Sequence, residues 1–238
     1  MRTLLPSALP AVVALLAAIA SPLVHAERSA ADPAHSAPQS PMTATAAADK
    51  FDEVIATPEL LNKLRAGGYA LYLRHGTTNN AIGDRVPTVD LNDCSTQRPL
   101  TDEGRQLMVR VGKALRKARI PIGELRVSPM CRARESAAAA FPAIAAVVDP
   151  QLMYVSNFTD AEKAPIIANT RQRLSAPVPA GSNRLLLAHA PNLMELMGYF
   201  PKEGTLVIFR PRGDGQHADY LGSVPAQRWD ALLQAMRP

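Results

Sequence analysis

Apolar and polar positions along this chain fall into short strand-like runs separated by stretches with helical spacing. Tyr69-Ala70-Leu71-Tyr72-Leu73-Arg74 is an apolar run that stops abruptly at a charge, and Arg184-Leu185-Leu186-Leu187-Ala188 is another, of the kind seen in strands buried on both faces. Glu124–Val127, Ala145–Val148 and Thr205–Arg210 supply further strands, and a stretch around Tyr220 reads as an edge strand able to run antiparallel. Thr57-Pro58-Glu59 opens a helix with a capping hydroxyl, a proline at the first position and an acid near the positive end, and Gly67-Gly68 closes it. Thr101-Asp102-Glu103 opens the next, with Leu107, Met108, Val111 and Leu115 on one face, and Ile120-Pro121 ends it. Ser128-Pro129 leads into a helix reaching Ala140, and Thr159 caps one running to about Arg173. Helices from Pro191 to Met197 and from Pro225 to Met236 complete the pattern. Strands that alternate with helices in this way predict an α/β fold, a three-layer α/β/α sandwich with a mostly parallel central sheet.

Ahead of Phe51 the pattern changes. Arg2, the apolar stretch from Ala11 to Ala20 and the small-residue site Val24-His25-Ala26 read as a secretory signal over residues 1–26. The apolar core between Pro10 and Pro22 is too short to span a bilayer, which favours export over anchoring, and no comparable run follows. Residues 27–50, rich in Ala, Pro, Ser and Thr, read as a flexible leader that cannot bury enough apolar surface to offset its ordering entropy. The remainder, 51–238, has the length of one domain with a sizeable core. The expected location is periplasmic or secreted, without stable membrane insertion once the signal is cleaved.

The 238 residues carry a formal net charge of +5. The basic residues are scattered and aromatics amount to only 5%, which argues against a nucleic-acid platform and leaves a small anionic substrate as the expected partner. Cys94 and Cys131 are the two cysteines, and an even count in an exported chain makes a disulfide between them the expectation, the alternative being two buried thiols. Neither has a metal-ligand spacing, and Asp84, Asp90 and Asp93 read as loop polarity, so no metal site is expected.

Three strand ends share one design. One run ends in Arg74-His75-Gly76, Glu124–Val127 leads into Ser128-Pro129-Met130-Cys131-Arg132-Ala133, and Arg184–Ala188 ends in His189-Ala190-Pro191-Asn192. In a parallel sheet these tips lie on the same edge, which brings together two arginines and two histidines. Phosphoryl transfer needs such a set, since arginine binds phosphate bidentately without losing its proton and histidine can be nucleophile or donor near neutrality.

Arg74-His75-Gly76, Arg98-Pro99-Leu100-Thr101-Asp102-Glu103-Gly104-Arg105, Ser128-Pro129-x-x-Arg132-Ala133-x-x-Ser136-Ala137 and the late His189 together resemble the histidine phosphatase superfamily, which includes phosphoglycerate mutases and histidine acid phosphatases. The resemblance runs from Tyr69 to at least Asn192 and implies a phosphoglycerate mutase-like fold and a phosphomonoesterase. It also implies that His75 is the nucleophile of a phosphohistidine intermediate, with Arg74, Arg132 and His189 forming the phosphate pocket. Water then cleaves the phosphoenzyme, with no metal or organic cofactor. Thr78 falls at a hydroxyl position able to bond a phosphate oxygen, and a solvated loop threonine is the other reading. Arg134 reads as a helix-surface cation near Glu135 rather than as the pocket arginine.

The proton donor does not follow from the resemblance. Ala190 stands where histidine acid phosphatases carry an aspartate, and Tyr154 stands at the place comparable to the mutases' glutamate. Asp160, Glu162 and Glu203 are the candidates, with Glu203 preferred, and a good leaving group needs no dedicated acid. A non-catalytic phosphate-binding module with the same pocket is the alternative function. His25, His35 and His217 receive no role.

Overall fold

The computed structural model describes residues 51–236, so the signal assigned to 1–26 and the leader assigned to 27–50 lie outside the described residues. Six helices are present among them: α1 (Pro58–Leu64), α2 (Asp102–Lys117), α3 (Cys131–Ala140), α4 (Asp160–Ser175), α5 (Ala190–Met197) and α6 (Trp229–Ala235). The strands are β1 (Ala70–Arg74), β2 (Ile122–Val127), β3 (Val147–Val148), β4 (Asn183–Ala188), β5 (Leu206–Pro211) and β6 (Ala218–Val224). They form one six-stranded sheet in the order β3-β2-β4-β1-β5-β6.

The strand sequences are apolar at successive positions because both faces of the sheet are covered. Leu71 and Leu73 of β1, Leu185 and Leu187 of β4 and Leu206 and Ile208 of β5 point to one face, against Leu61 and Leu64 of α1, Met108 and Val111 of α2, Ala133 and Ala137 of α3 and Trp229 of α6. The intervening Ala70, Tyr72, Leu186, Ala188, Val207 and Phe209 point to the other, with Leu174 of α4 and Leu193 of α5. The expected three-layer α/β/α sandwich with a mostly parallel sheet is therefore present.

One detail of the sheet differs from expectation. β1, β2, β3 and β4 pair in parallel, and the antiparallel strand is β5, which lies inside the sheet. The edge strand β6 is antiparallel to β5 and so runs with the parallel set. The reason is the return path after β4. The helix α5 is about two turns long. The chain then rejoins the sheet at the end of β1, where Gly204 N–H donates to Arg74 O and Arg74 N–H donates to Thr205 O. A chain that re-enters at the tip of a strand must run back along it. Val147–Val148 is all that forms of the strand expected over Ala145–Val148, and the expected C-terminal helix divides into a 3-10 turn, Ala226–Arg228, and α6.

Candidate active site

The register of the sheet brings the three strand ends together. Arg74 lies opposite Ala188, and both Leu73 and Val127 lie opposite Leu187. One further backbone bond continues each ladder, from His75 N–H to Ala188 O and from Ser128 N–H to Leu187 O. The His75 and His189 rings consequently sit 5.2 Å apart, centroid to centroid, in an edge-on arrangement.

Local chemistry fixes the turn after His75. Ser136 Oγ accepts from Gly76 N–H at 3.0 Å and donates to Arg132 O at 2.7 Å, tying that turn to the first turn of α3. Opposite lies the start of α2, where Thr101 caps Gly104 N–H and the Thr101 N–H donates to Thr77 O. The approach is so close that a Cβ on Gly76 would lie 2.4 Å from Gly104 O, and one on Gly104 would lie 2.1 Å from Thr77 O. Both glycines are required by this contact.

The His75 Nδ1 lies 2.8 Å from Gly76 O. A carbonyl oxygen only accepts, so Nδ1 carries the proton and Nε2 keeps its lone pair, the state a nucleophile needs. The His189 Nε2 lies 2.7 Å from Ser128 Oγ, and Tyr72 brackets the same residue by donating to His189 O and accepting from His189 N–H. Both imidazoles are buried, and their pKa values are driven well below the ordinary histidine value, first by desolvation and then by the nearby Arg132. Burial pushes the Tyr72 phenol up, so it acts here as a neutral hydroxyl.

The arginines are held along one edge and left free along another. Arg132 is fully buried and donates through Nη1 to Asp84 Oδ1 at 2.9 Å, whereas its Nε and Nη2 have no partner. Arg74 donates through Nη1 to Pro201 O at 2.7 Å, places Nη2 3.5 Å from Glu203 Oε1 and leaves Nε free. Desolvation lowers the pKa of both guanidinium groups, partly offset by Asp84 and Glu203 respectively. The Tyr154 ring stands against this cluster, 4.8 Å from Arg132 Cζ, 5.9 Å from Arg98 Cζ and 5.3 Å from the His189 ring. Phe200 covers the Arg74 guanidinium at 5.1 Å.

The structure therefore unites Arg74, His75, Arg132 and His189, with Glu203 at the edge on Arg74. Thr78 is buried and its hydroxyl has no partner, unlike a solvated loop residue. Glu162 belongs to the capping box of α4, and the fully exposed Asp160 side chain lies 3.7 Å from Lys163 Nζ, so a helix cap and a surface ion pair account for these two carboxylates. Cys94 and Cys131 form the disulfide, with Cα atoms 5.7 Å apart. Asp90 and Asp93 cap their own loop, as expected.

Two readings need correction. Asp84 is no mere loop polarity, because its carboxylate enters the pocket on Arg132 and also accepts from Arg98 N–H. Arg134 is not a surface cation on Glu135; it donates to Leu91 O and approaches Cys131 Sγ, while Glu135 pairs with Arg105. Arg98 is a third pocket arginine that the sequence showed only as part of a motif. Its Nε is buried without a partner and its charge bears on both histidines. The clue was its place immediately ahead of the Pro99–Thr101 segment that is pinned to the turn after His75.

No family model and no curated protein matches the chain. Among solved structures it is similar to the protein histidine phosphatase SixA complexed with tungstate, at 18% identity over 67% of this chain and 98% of that one, TM-score 0.47. It is also similar to the Entamoeba histolytica phosphoserine phosphatase complexed with 3-phosphoglyceric acid, at 12% identity over 68% and 98%, TM-score 0.48. A mycobacterial glucosyl-3-phosphoglycerate phosphatase complexed with inorganic phosphate gives 15% identity over 68% and 99%, TM-score 0.45. All these scores lie below 0.5, so the case for function is made by the pocket's own groups.

Proposed function

We propose that this chain is an exported phosphatase of the histidine phosphatase superfamily, hydrolysing a small phosphate ester through a phosphohistidine on His75. The observation that carries this reading is the set of five buried nitrogen atoms without partners that meet around the two histidines: Arg74 Nε, Arg98 Nε, Arg132 Nε, Arg132 Nη2 and His189 Nδ1. Each of the four guanidinium nitrogens is a donor, and a buried donor left unpaired costs about 1–3 kcal/mol, so such a cluster is supported by the ligand that completes it. Guanidinium edges select a multi-oxygen anion, and a phosphoryl group offers three oxygens. The neutral His75 Nε2 beside them attacks phosphorus, the arginines neutralise the equatorial oxygens, and a water then releases phosphate from the ring.

Purified protein offered a panel of phosphate monoesters is expected to release phosphate and to yield an acid-labile, alkali-stable phosphohistidine on quenching. His75→Ala should lower turnover by on the order of 1,000-fold or more. Phosphate binding with no release from any ester would favour a non-catalytic module instead. Export rests on the signal-like residues 1–26, and among the described residues no helix is long and apolar enough to cross a membrane. N-terminal sequencing of the protein recovered outside the cytoplasm should begin at Glu27, and recovery only of an intact Met1 inside the cell would end that part of the proposal.

A further inference from the structure

The pocket is charged at its floor and apolar at its rim. His75 is 1% exposed, the Glu203 side chain on Arg74 is 24% exposed, and Phe200, whose ring lies against the same guanidinium at 5.1 Å, is 54% exposed. Both neighbours of Phe200 are buried: Tyr199 stacks on Phe51, and Pro201 accepts from Arg74 Nη1 through its carbonyl. Gly204 N–H donates to Arg74 O and His75 O, so the loop from α5 to β5 is pinned to the end of β1 while the Phe200 ring stays open to solvent. Ile82 and Val86, two positions either side of the Asp84 that holds Arg132, are also large apolar side chains left exposed.

The Nε of Arg74 is free, so the guanidinium that carries Phe200 against its face can take a phosphate oxygen on its edge. Displacement at phosphorus runs in line, with the attacking and leaving groups on opposite sides. An attack from the deeply buried His75 therefore sends the leaving alcohol outward, past the groups that flank Arg74 on the solvent side.

The guanidinium covers one side of the Phe200 ring, and the exposed remainder is stabilised by whatever apolar surface removes it from water. We propose that Phe200 is a specificity-determining residue, and that the substrate is a phosphate monoester whose alcohol carries an apolar, ring-sized group that packs on it. The proposal rests on the phosphatase reading above and concerns the part of the ester that the phosphate-binding nitrogens do not touch.

The experiment compares benzyl phosphate with glycerol 1-phosphate, both esters of ordinary alcohols, in wild type, Phe200→Ala, Phe200→Leu and Phe200→Tyr, with His75→Ala as the blank. The readout is the ratio of the two kcat/KM values, in which any effect passed through Arg74 alone cancels. Wild type should prefer benzyl phosphate by about tenfold or more, and Phe200→Ala, while slowing both esters, should bring the ratio to within about twofold of unity. Phe200→Tyr keeps the ring and should keep the preference, and Phe200→Leu should fall between. The same order should appear when benzylphosphonate and methylphosphonate are compared by the rise each gives in melting temperature, a measurement that also shows each variant to be folded. No preference in wild type, or one that survives in Phe200→Ala, would overturn the proposal. If Phe200→Ala does not fold, a ratio in Phe200→Leu equal to that of wild type overturns it instead. A wild type inert towards both esters, with no phosphohistidine, would overturn the phosphatase reading, and the phosphonate comparison would still decide whether Phe200 selects the apolar group.

Discussion

At the scale of single residues, the chemistry turns on where protons sit. His75 can offer Nε2 because the Gly76 carbonyl takes the Nδ1 proton, and it stays neutral because burial and Arg132 oppose its charging. Arg132 can bind an anion through one edge because Asp84 occupies another. These two controls have different visibility in sequence. His75, His189, Arg74 and Arg132 stand at or just beyond strand ends, and the polarity change at a strand tip is a local signal. Asp84 reaches Arg132 across 48 positions from within a polar loop, and no local pattern separates it from Asp90 or Asp93, which only cap that loop. Sequence marks Tyr154 only by its position, whereas its contact with two guanidinium groups and a histidine depends on tertiary packing.

At the scale of elements, the loop from Thr77 to Pro99 is what turns a sheet edge into a closed pocket. It is fastened to α3 at four points: the Cys94–Cys131 disulfide, the Gln97 side chain accepting from Cys131 N–H, Arg134 donating to Leu91 O, and Arg132 donating to Asp84. The two cysteines are 37 positions apart, and closing a loop of that length removes unfolded-chain entropy worth up to about 4 kcal/mol. The Cys94→Ser/Cys131→Ser variant should therefore melt at a clearly lower temperature and show a raised KM, since the loop that presents Asp84 gains freedom. An unchanged melting temperature would mean that the Asp84, Gln97 and Arg134 bonds hold the loop without the disulfide. Element existence was legible because apolar runs and caps such as Thr57, Thr101 and Thr159 are local. The direction of β5 was not, since it follows from where the short α5 delivers the chain.

At the scale of the whole molecule, the fold buries an electropositive site against its own stability and recovers the cost when an anion binds. Three arginines and two histidines meet at the end of the sheet, and the carboxylates Asp84 and Glu203 stand on two of those arginines. The two histidines stay neutral because the folded state resists their protons. Above the ordinary histidine pKa of about 6.5 neither the folded nor the unfolded chain protonates them, and they leave stability unaffected. Below it the unfolded chain binds protons that the fold rejects, so stability falls as pH falls, by up to about 1.4 kcal/mol per pH unit for each histidine. A melting series from pH 7.5 to 5.5 should show this decline, and His189→Gln, which cannot charge, should show a shallower one. Inorganic phosphate supplies the missing negative charge and partners for the free donors. At 100 times its dissociation constant it should add about 2.7 kcal/mol and flatten the decline, because an anion between the rings makes their protonated forms acceptable. A melting temperature insensitive to phosphate, with the acid decline equal in wild type and His189→Gln, would show that the buried nitrogens are not an anion site and that the histidines do not set the acid limit of this fold.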